Sequence, residues 1–192
     1  YVPGGLLHAN IVACGIFAAI SGSSPATAAT IGGVAIPQMN ALGYPKRFTY
    51  GSVAAGGTLG ILIPPSIALI VYGSLCGESV VQLFTAALIP GIVLLLIYVT
   101  YVFIMGLTHK EDFKNIKWDY YEDVSHGEAA KGILPMVVMI LVVLGCIYTG
   151  VATPTEAAGL GAFLAIILGM VFGSLTLQRF WTALGKSVRT TA

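Results

Sequence analysis

Carboxylate is what the first part of this sequence lacks: residues 1–77 contain no Asp or Glu, and their only Lys and Arg are Lys46 and Arg47. A stretch of that length without acid offers no Ser–His–Asp relay and no acidic cage for a divalent cation. Cysteine is also scarce. Cys14, Cys76 and Cys146 each lie in apolar segments with no second Cys nearby, the setting of reduced packing residues rather than a disulfide framework. No metal-ligand spacing of His and Cys is present. The sequence has no initiator Met and no basic leader before its first apolar run, so it reads as an internal fragment without a visible signal peptide. The formal net charge of +1 gives no reason to expect nucleic acid as a partner.

What is abundant is hydrocarbon. Hydrophobic residues make up 57% of the chain, charged residues 9%, and mean hydropathy is +0.91, the composition of an all-α polytopic membrane protein in contact with the lipid bilayer. The chain is organised around Ser21-Gly22-Ser23-Ser24-Pro25, a polar, turn-forming tip between two apolar runs, residues 4–20 and 25–42. Each run is near the lower limit for crossing a hydrocarbon core of ~30 Å at ~1.5 Å per residue. Two short spans or a re-entrant helical hairpin therefore fit, and both return the chain to its starting side. A first helix ending near Ile20 turns its unpaired carbonyls toward the tip. Ser24 as N-cap with Pro25 at the first helical position turns the amides of a second helix toward the same point. One end suits a cation, the other a carboxylate. An ordinary exposed loop between two spanning helices is the alternative.

After the turn Gly43-Tyr44-Pro45-Lys46-Arg47, residues 48–77 run without charge, too long for one crossing and too short for two. Pro64 and Pro65 explain the length, because they supply no N–H to the carbonyls of Gly60 and Ile61. A discontinuous helix is predicted there, and unwound carbonyls near the midplane are a common setting for coupling ions. The competing reading is a proline kink repaired by the hydroxyls of Thr58 and Ser66. Residues 83–106 cross back. Residues 107–131 are hydrophilic, with Phe113, Trp118, Tyr120 and Tyr121 suited to the headgroup region. Residues 132–152 cross again, and Thr153-Pro154-Thr155-Glu156 reads as a capping box opening the crossing 157–175. Glu156 is thereby assigned to a cap, with proton carriage as its functional alternative. Leu177, Phe180, Trp181, Leu184 and Val188 then repeat at helical spacing opposite Arg179, Lys186 and Arg189, as in an amphipathic interfacial helix. The resulting division is a transport-unit half (1–77), a crossing and interfacial arm (78–131), two crossings (132–175) and an amphipathic arm (176–192).

This segment order places all nine Lys and Arg residues on one side, leaving Glu78 and Glu156 on the other. By the positive-inside rule the basic side is cytoplasmic. Two motifs mislead. Gly185-Lys186-Ser187 resembles the end of a phosphate-binding loop, but Phe180 stands where the earlier glycine is required. Ser23 and Ser24 invite a hydrolase reading, yet His8 would have to be the base with no acid to orient it.

Ser21-Gly22-Ser23-Ser24 with Ala26-Thr27-Ala28-Ala29, Gly43-Tyr44-Pro45, Leu59-Gly60-Ile61-Leu62-Ile63-Pro64-Pro65-Ser66 with Tyr72-Gly73, Ile89-Pro90-Gly91, and Gly150-Val151-Ala152-Thr153-Pro154-Thr155-Glu156-Ala157-Ala158 occur in this order. Together they resemble the large membrane subunit, DctM/SiaM type, of tripartite ATP-independent periplasmic (TRAP) transporters. The resemblance covers the whole sequence. It implies no enzyme but the first half of an inverted-repeat elevator transporter, a sodium-driven importer of small organic acids such as dicarboxylates or sialic acid. It further implies an inner-membrane location, a small membrane subunit of the DctQ type and a periplasmic substrate-binding protein of the DctP type. Carried over, the family's first sodium site falls on Ser21, Ser23, Ser24, Gly57, Thr58, Gly60, Ile61 and Pro64. Substrate contacts fall on Ser23, Ser24, Pro25 and Ser66. Only one hairpin and one Pro-Pro break occur here, so the second repeat is expected beyond residue 192. The residues themselves agree on one point: hydroxyls and free carbonyls without carboxylate suit Na⁺ as coupling ion better than Ca²⁺ or Zn²⁺. Two alternatives stand beside this reading, an elevator-type sodium/anion symporter that works without a binding protein and, more remotely, an intramembrane hydrolase.

Overall fold

The computed structural model describes residues 3–114, 116, 126–172 and 175–191, and among these every regular element is a helix. The chain forms two compact units, Tyr1–Ser125 and His126–Ala192. The first contains α1 (Leu6–Ser21), α2 (Ser24–Ala41), α3 (Lys46–Leu62), α4 (Ile67–Cys76) and α5 (Val80–Thr108), followed by a 3₁₀ turn at Lys110–Phe113. The second contains α6 (His126–Tyr148), α7 (Pro154–Val171) and α8 (Leu177–Thr191). The two-part segment Lys46–Cys76, together with Val80–Thr108 and Pro154–Val171, is long and apolar enough to cross a membrane. Leu6–Ser21 and Gly132–Tyr148 are shorter apolar helices.

The hairpin turns tightly because Gly22 adopts φ 60°, a left-handed conformation that glycine takes without penalty, and its N–H caps Ala18 O at 3.0 Å. Ser23 is extended and its carbonyl already accepts the N–H of Thr27 at 2.9 Å, while its hydroxyl accepts from Ala26 N–H at 3.4 Å. Those are the marks of an N-cap. The cap is therefore Ser23 and not Ser24, and Pro25 is the second helical residue rather than the first. The predicted break after α3 is present: Ile63 and Ser66 are extended, and a new helix starts at Ile67.

α3 lies against the hairpin along a glycine seam. A Cβ at Gly56 would stand 2.6 Å from Cys14 Sγ, one at Gly57 2.8 Å from Ala28 Cβ, and one at Gly60 2.8 Å from Ser24 N. Such spacing lets backbones approach far more closely than larger side chains allow. α5 reaches the break through Gly91, where a Cβ would lie 3.4 Å from Leu62 O. At the Lys46 end, Leu7, Ile11, Met39, Leu42, Tyr44, Val102, Met105 and Ile116 form one buried cluster. Arg47 there meets Asp112 at 2.5 Å, and Phe48 stacks on Phe113 with centroids 5.5 Å apart.

In the second unit the capping box is complete. Thr153 N–H and Oγ–H both donate to Glu156 Oε2, at 2.8 and 2.7 Å, and Glu156 N–H donates to Thr153 Oγ1 at 3.4 Å. α6 begins at His126, six residues before the apolar run, because good helix formers such as Glu128, Ala129 and Ala130 extend the helix. On α8, Leu177, Trp181, Leu184 and Val188 are all exposed. Trp118, Tyr120 and Tyr121, expected at headgroup depth, lie outside the described residues.

Candidate functional site

Two interruptions of helical structure meet at one place. The tip of the α1–α2 hairpin and the α3–α4 break are joined by a hydrogen bond from Ile67 N–H to Gly22 O at 3.1 Å. A Cβ on Gly22 would collide with Pro65 O. One turn earlier on α3, Gly60 presses directly on the Ser23–Ser24 peptide, and a Cβ at Gly57 would approach Ser24 O at 3.5 Å. The structure thus brings Ser23, Ser24, Gly57 and Gly60 together, with Ser66 one residue from the Ile67–Gly22 bond.

The chemistry of the place is neutral oxygen. Pro64 and Pro65 leave the carbonyls of Gly60 and Ile61 without their helical donors, and α1 directs its own terminal carbonyls toward the tip. Ser24 Oγ and Ser66 Oγ are buried and have no hydrogen-bond partner among the described residues. An unpaired buried hydroxyl costs about 1–3 kcal/mol, so a further polar partner at either would be favourable. The absence of Asp and Glu from residues 1–77 fits a monovalent cation and leaves a divalent one unneutralised. The N-terminus of α2, with Ser24 and Pro25 in its first turn, faces the same junction and favours an anion.

Not every residue expected here contributes a free group. Ser21 Oγ pairs with Thr27 Oγ1 at 2.8 Å, and Thr27 Oγ1 also donates to Ser23 O at 2.8 Å. Thr58 turns its hydroxyl away, donating to Ala55 O at 2.7 Å and meeting Tyr98 OH at 3.0 Å on α5. It does not repair the break. Pro64 is fully buried, while the Ile61 side chain is exposed and leaves only its backbone for the site. Thr27, fully buried, was missed by sequence reasoning. Its signal is its position four residues after Ser23, where a threonine hydroxyl in α2 reaches back to that carbonyl. His8 donates from Nε2 to Pro3 O at 2.7 Å and lies about 22 Å of helix rise from Ser23, too far to serve as its base.

A hairpin docked on a discontinuous helix, among apolar membrane-length helices, defines an all-α membrane protein with a buried oxygen-lined junction. The family model of the tripartite ATP-independent periplasmic transporter, DctM component, matches residues 1–192, and the chain belongs to that family. It is 42% identical over 165 residues to the C4-dicarboxylate TRAP transporter large permease protein DctM of Pseudomonas aeruginosa, covering 84% of this chain and 37% of that protein. It is 37% identical over 195 residues to the isethionate TRAP transporter permease protein DctMQ of Oleidesulfovibrio alaskensis, covering 100% and 30%. To the sialic acid TRAP transporter large permease protein SiaM of Vibrio cholerae it is 34% identical over 203 residues, covering 100% and 44%. The chain thus spans less than half the length of these relatives. The family is one of transport permeases and not of enzymes, which sets the hydrolase alternative aside.

Proposed function

We propose that this chain is the first-repeat half of the large membrane subunit of a sodium-coupled TRAP importer of small organic acids. Its homologues include permeases named for C4-dicarboxylates, isethionate and sialic acid, anions at neutral pH, and for ectoine, a zwitterion that still carries a carboxylate, and α2 turns an anion-favouring N-terminus toward the junction. A periplasmic binding protein of the DctP type would deliver the substrate, and a small subunit of the DctQ type would complete the membrane part. The location proposed is the bacterial or archaeal inner membrane with the basic loops cytoplasmic. In this reading the junction moves as one body across the membrane in an elevator step, together with a second repeat that supplies the remaining ligands.

The observation that supports sodium coupling is the pair of buried hydroxyls, Ser24 and Ser66, without partners among the described residues, beside carbonyls released by Pro64 and Pro65. Na⁺ bound there would neutralise part of the substrate's charge and draw the hairpin onto the broken helix, so ion and anion would favour the same closed arrangement. The test is uptake by the complete transporter in proteoliposomes as sodium is varied. Ser66→Ala removes one ligand to a charged group, a loss of roughly 1.5–3 kcal/mol or about tenfold to hundredfold in ion affinity. Its sodium curve should shift right and recover at saturating sodium, while Thr85→Ala on α5, whose hydroxyl bonds only Val81 O, overlays the parent. Sodium-independent uptake by the parent would overturn the coupling.

A further inference from the structure

Away from the tip, the first unit holds a second concave feature, a cavity of about 280 Å³ between α1, α3 and α5, lined by Leu7, Arg47, Gly51, Ser52, Tyr98 and Tyr101 among others. We infer that this cavity holds one acyl chain of an anionic phospholipid from the leaflet on the Lys46 side, with the headgroup at Arg47.

The wall is mainly hydrocarbon, and most of its polar groups are engaged within the protein. Ser52 Oγ accepts from Asn10 Nδ2 at 2.8 Å and donates to Thr49 O at 2.9 Å, and Tyr98 OH is engaged by Thr58. Asn10 Oδ1 beside Ser52 has no partner among the described residues and Arg47 lines one end, but the rest of the lining, with Leu7, Ile11, Ala55, Val102 and Met105, offers water little to bind. Hydrocarbon suits it better. The dimensions agree: from Arg47 to Ala55 along α3 is about 12 Å of helix rise, close to the ~15 Å that one leaflet contributes to the hydrocarbon core. Tyr101, 66% exposed on α5, leaves the side of the cavity open in the direction from which a chain would enter.

The rim selects the headgroup. Arg47 bridges to Asp112 and lies over the Phe48 ring at 4.4 Å. Lys114 is paired with Glu111, whereas Lys46 and Lys110 form no ion pair among the described residues. Among the described residues at this end, Lys46, Arg47, Lys110 and Lys114 therefore outnumber Glu111 and Asp112. Each Lys or Arg near an anionic headgroup favours it by about fivefold. Phe48, in ring contact with both His109 and Phe113, sits with them at the same end as an aromatic collar suited to headgroup depth.

The experiment uses the full-length permease in nanodiscs containing phosphatidylglycerol or phosphatidylcholine, each carrying a photoactivatable group within one acyl chain, with labelled peptides mapped by mass spectrometry. Labelling of residues 51–55 and 98–102 is expected, at least about fivefold stronger from phosphatidylglycerol. A Cβ at Gly51 meets nothing within 4 Å, so Gly51→Leu fills the space without displacing backbone and should abolish that labelling. Arg47→Gln should reduce phosphatidylglycerol labelling about fivefold and leave phosphatidylcholine labelling unchanged. Equal labelling by the two lipids in the parent would make this ordinary boundary lipid and overturn the proposal. So would unlabelled α3 and α5 peptides, as when the rest of the polypeptide or a subunit covers the cavity, or labelling that persists in Gly51→Leu.

Discussion

Gly60 lies against the backbone of Ser23 so closely that a methyl group at position 60 would stand 2.7 Å from the Ser23 carbonyl carbon and 2.8 Å from its oxygen. Neither neighbour is the end of a flexible side chain. The hairpin tip and the broken helix are consequently fitted to each other through backbone, and the position of every oxygen at the junction depends on that fit.

Gly60→Ala should therefore separate the hairpin from α3. Overpacking of this kind costs about 1–3 kcal/mol, and here the displaced group is the candidate ligand shell. The expected result is a lower melting temperature and a large rightward shift in the sodium dependence of uptake. Gly33→Ala, whose added methyl meets nothing within 4 Å, should keep the parent's sodium curve. A Gly60→Ala protein with parental stability and sodium dependence would show that the tip tolerates the displacement.

Adjacent serines at the tip should behave oppositely. Ser23 caps α2, and replacing an N-cap serine with alanine costs about 1 kcal/mol whether or not ion is present. Ser24 Oγ has no partner among the described residues, so its loss costs little in sodium-free buffer. Thermal unfolding with and without sodium separates the two: Ser23→Ala lowers the melting temperature in both, while Ser24→Ala lowers only the increment that sodium adds, because a ligand's stabilisation grows with the logarithm of its affinity for the folded state. An unchanged sodium increment in Ser24→Ala would remove that hydroxyl from the site.

The sidedness proposed from the charge pattern can be tested directly. With cysteines introduced singly at positions 114 and 78 of a cysteine-free full-length protein, an impermeant thiol reagent should label the Lys114→Cys variant only from the cytoplasm and the Glu78→Cys variant only from outside. Labelling of both from one face would overturn the order of crossings.

Much of this junction was legible in the sequence because its causes are local. Two adjacent prolines remove donors wherever they stand, and Gly22 between serines is a turn in any fold. The N-cap was misplaced by one residue for a local reason too: Ser23 and Ser24 have equal capping chemistry, and only the backbone angles decide between them. What could not be read was tertiary. The Thr58 hydroxyl turns toward Tyr98, forty residues away in sequence, and nothing in the neighbourhood of Thr58 announces that partner. Thr27 was hidden by its surroundings, a small hydroxyl in an alanine-rich turn that gains meaning only when Ser21 and Ser23 fold back onto it. The cavity beside Arg47 is assembled from three helices and has no sequence signature at all.

Glu156 poses a sharper choice, since an acid at the start of a membrane-length helix is either a cap or a carrier of protons. The geometry favours the cap: a single carboxylate oxygen, Oε2, accepts from both the N–H and the hydroxyl of Thr153, while the Glu156 N–H returns to Thr153 Oγ1. Glutamine accepts in the same way and keeps a capping box intact, losing only the interaction of the charge with the helix dipole, about 0.3–1 kcal/mol. Alanine at position 153 breaks the box from the other side and costs about 1 kcal/mol. If Glu156 is a cap, Glu156→Gln should import substrate with the parent's pH profile, and Thr153→Ala should be the less stable of the two by thermal unfolding. A proton carrier predicts the reverse ranking in function, with uptake lost or its pH dependence flattened in Glu156→Gln and retained in Thr153→Ala. Uptake measured across pH in the full transporter, with both variants beside the parent, distinguishes the two roles.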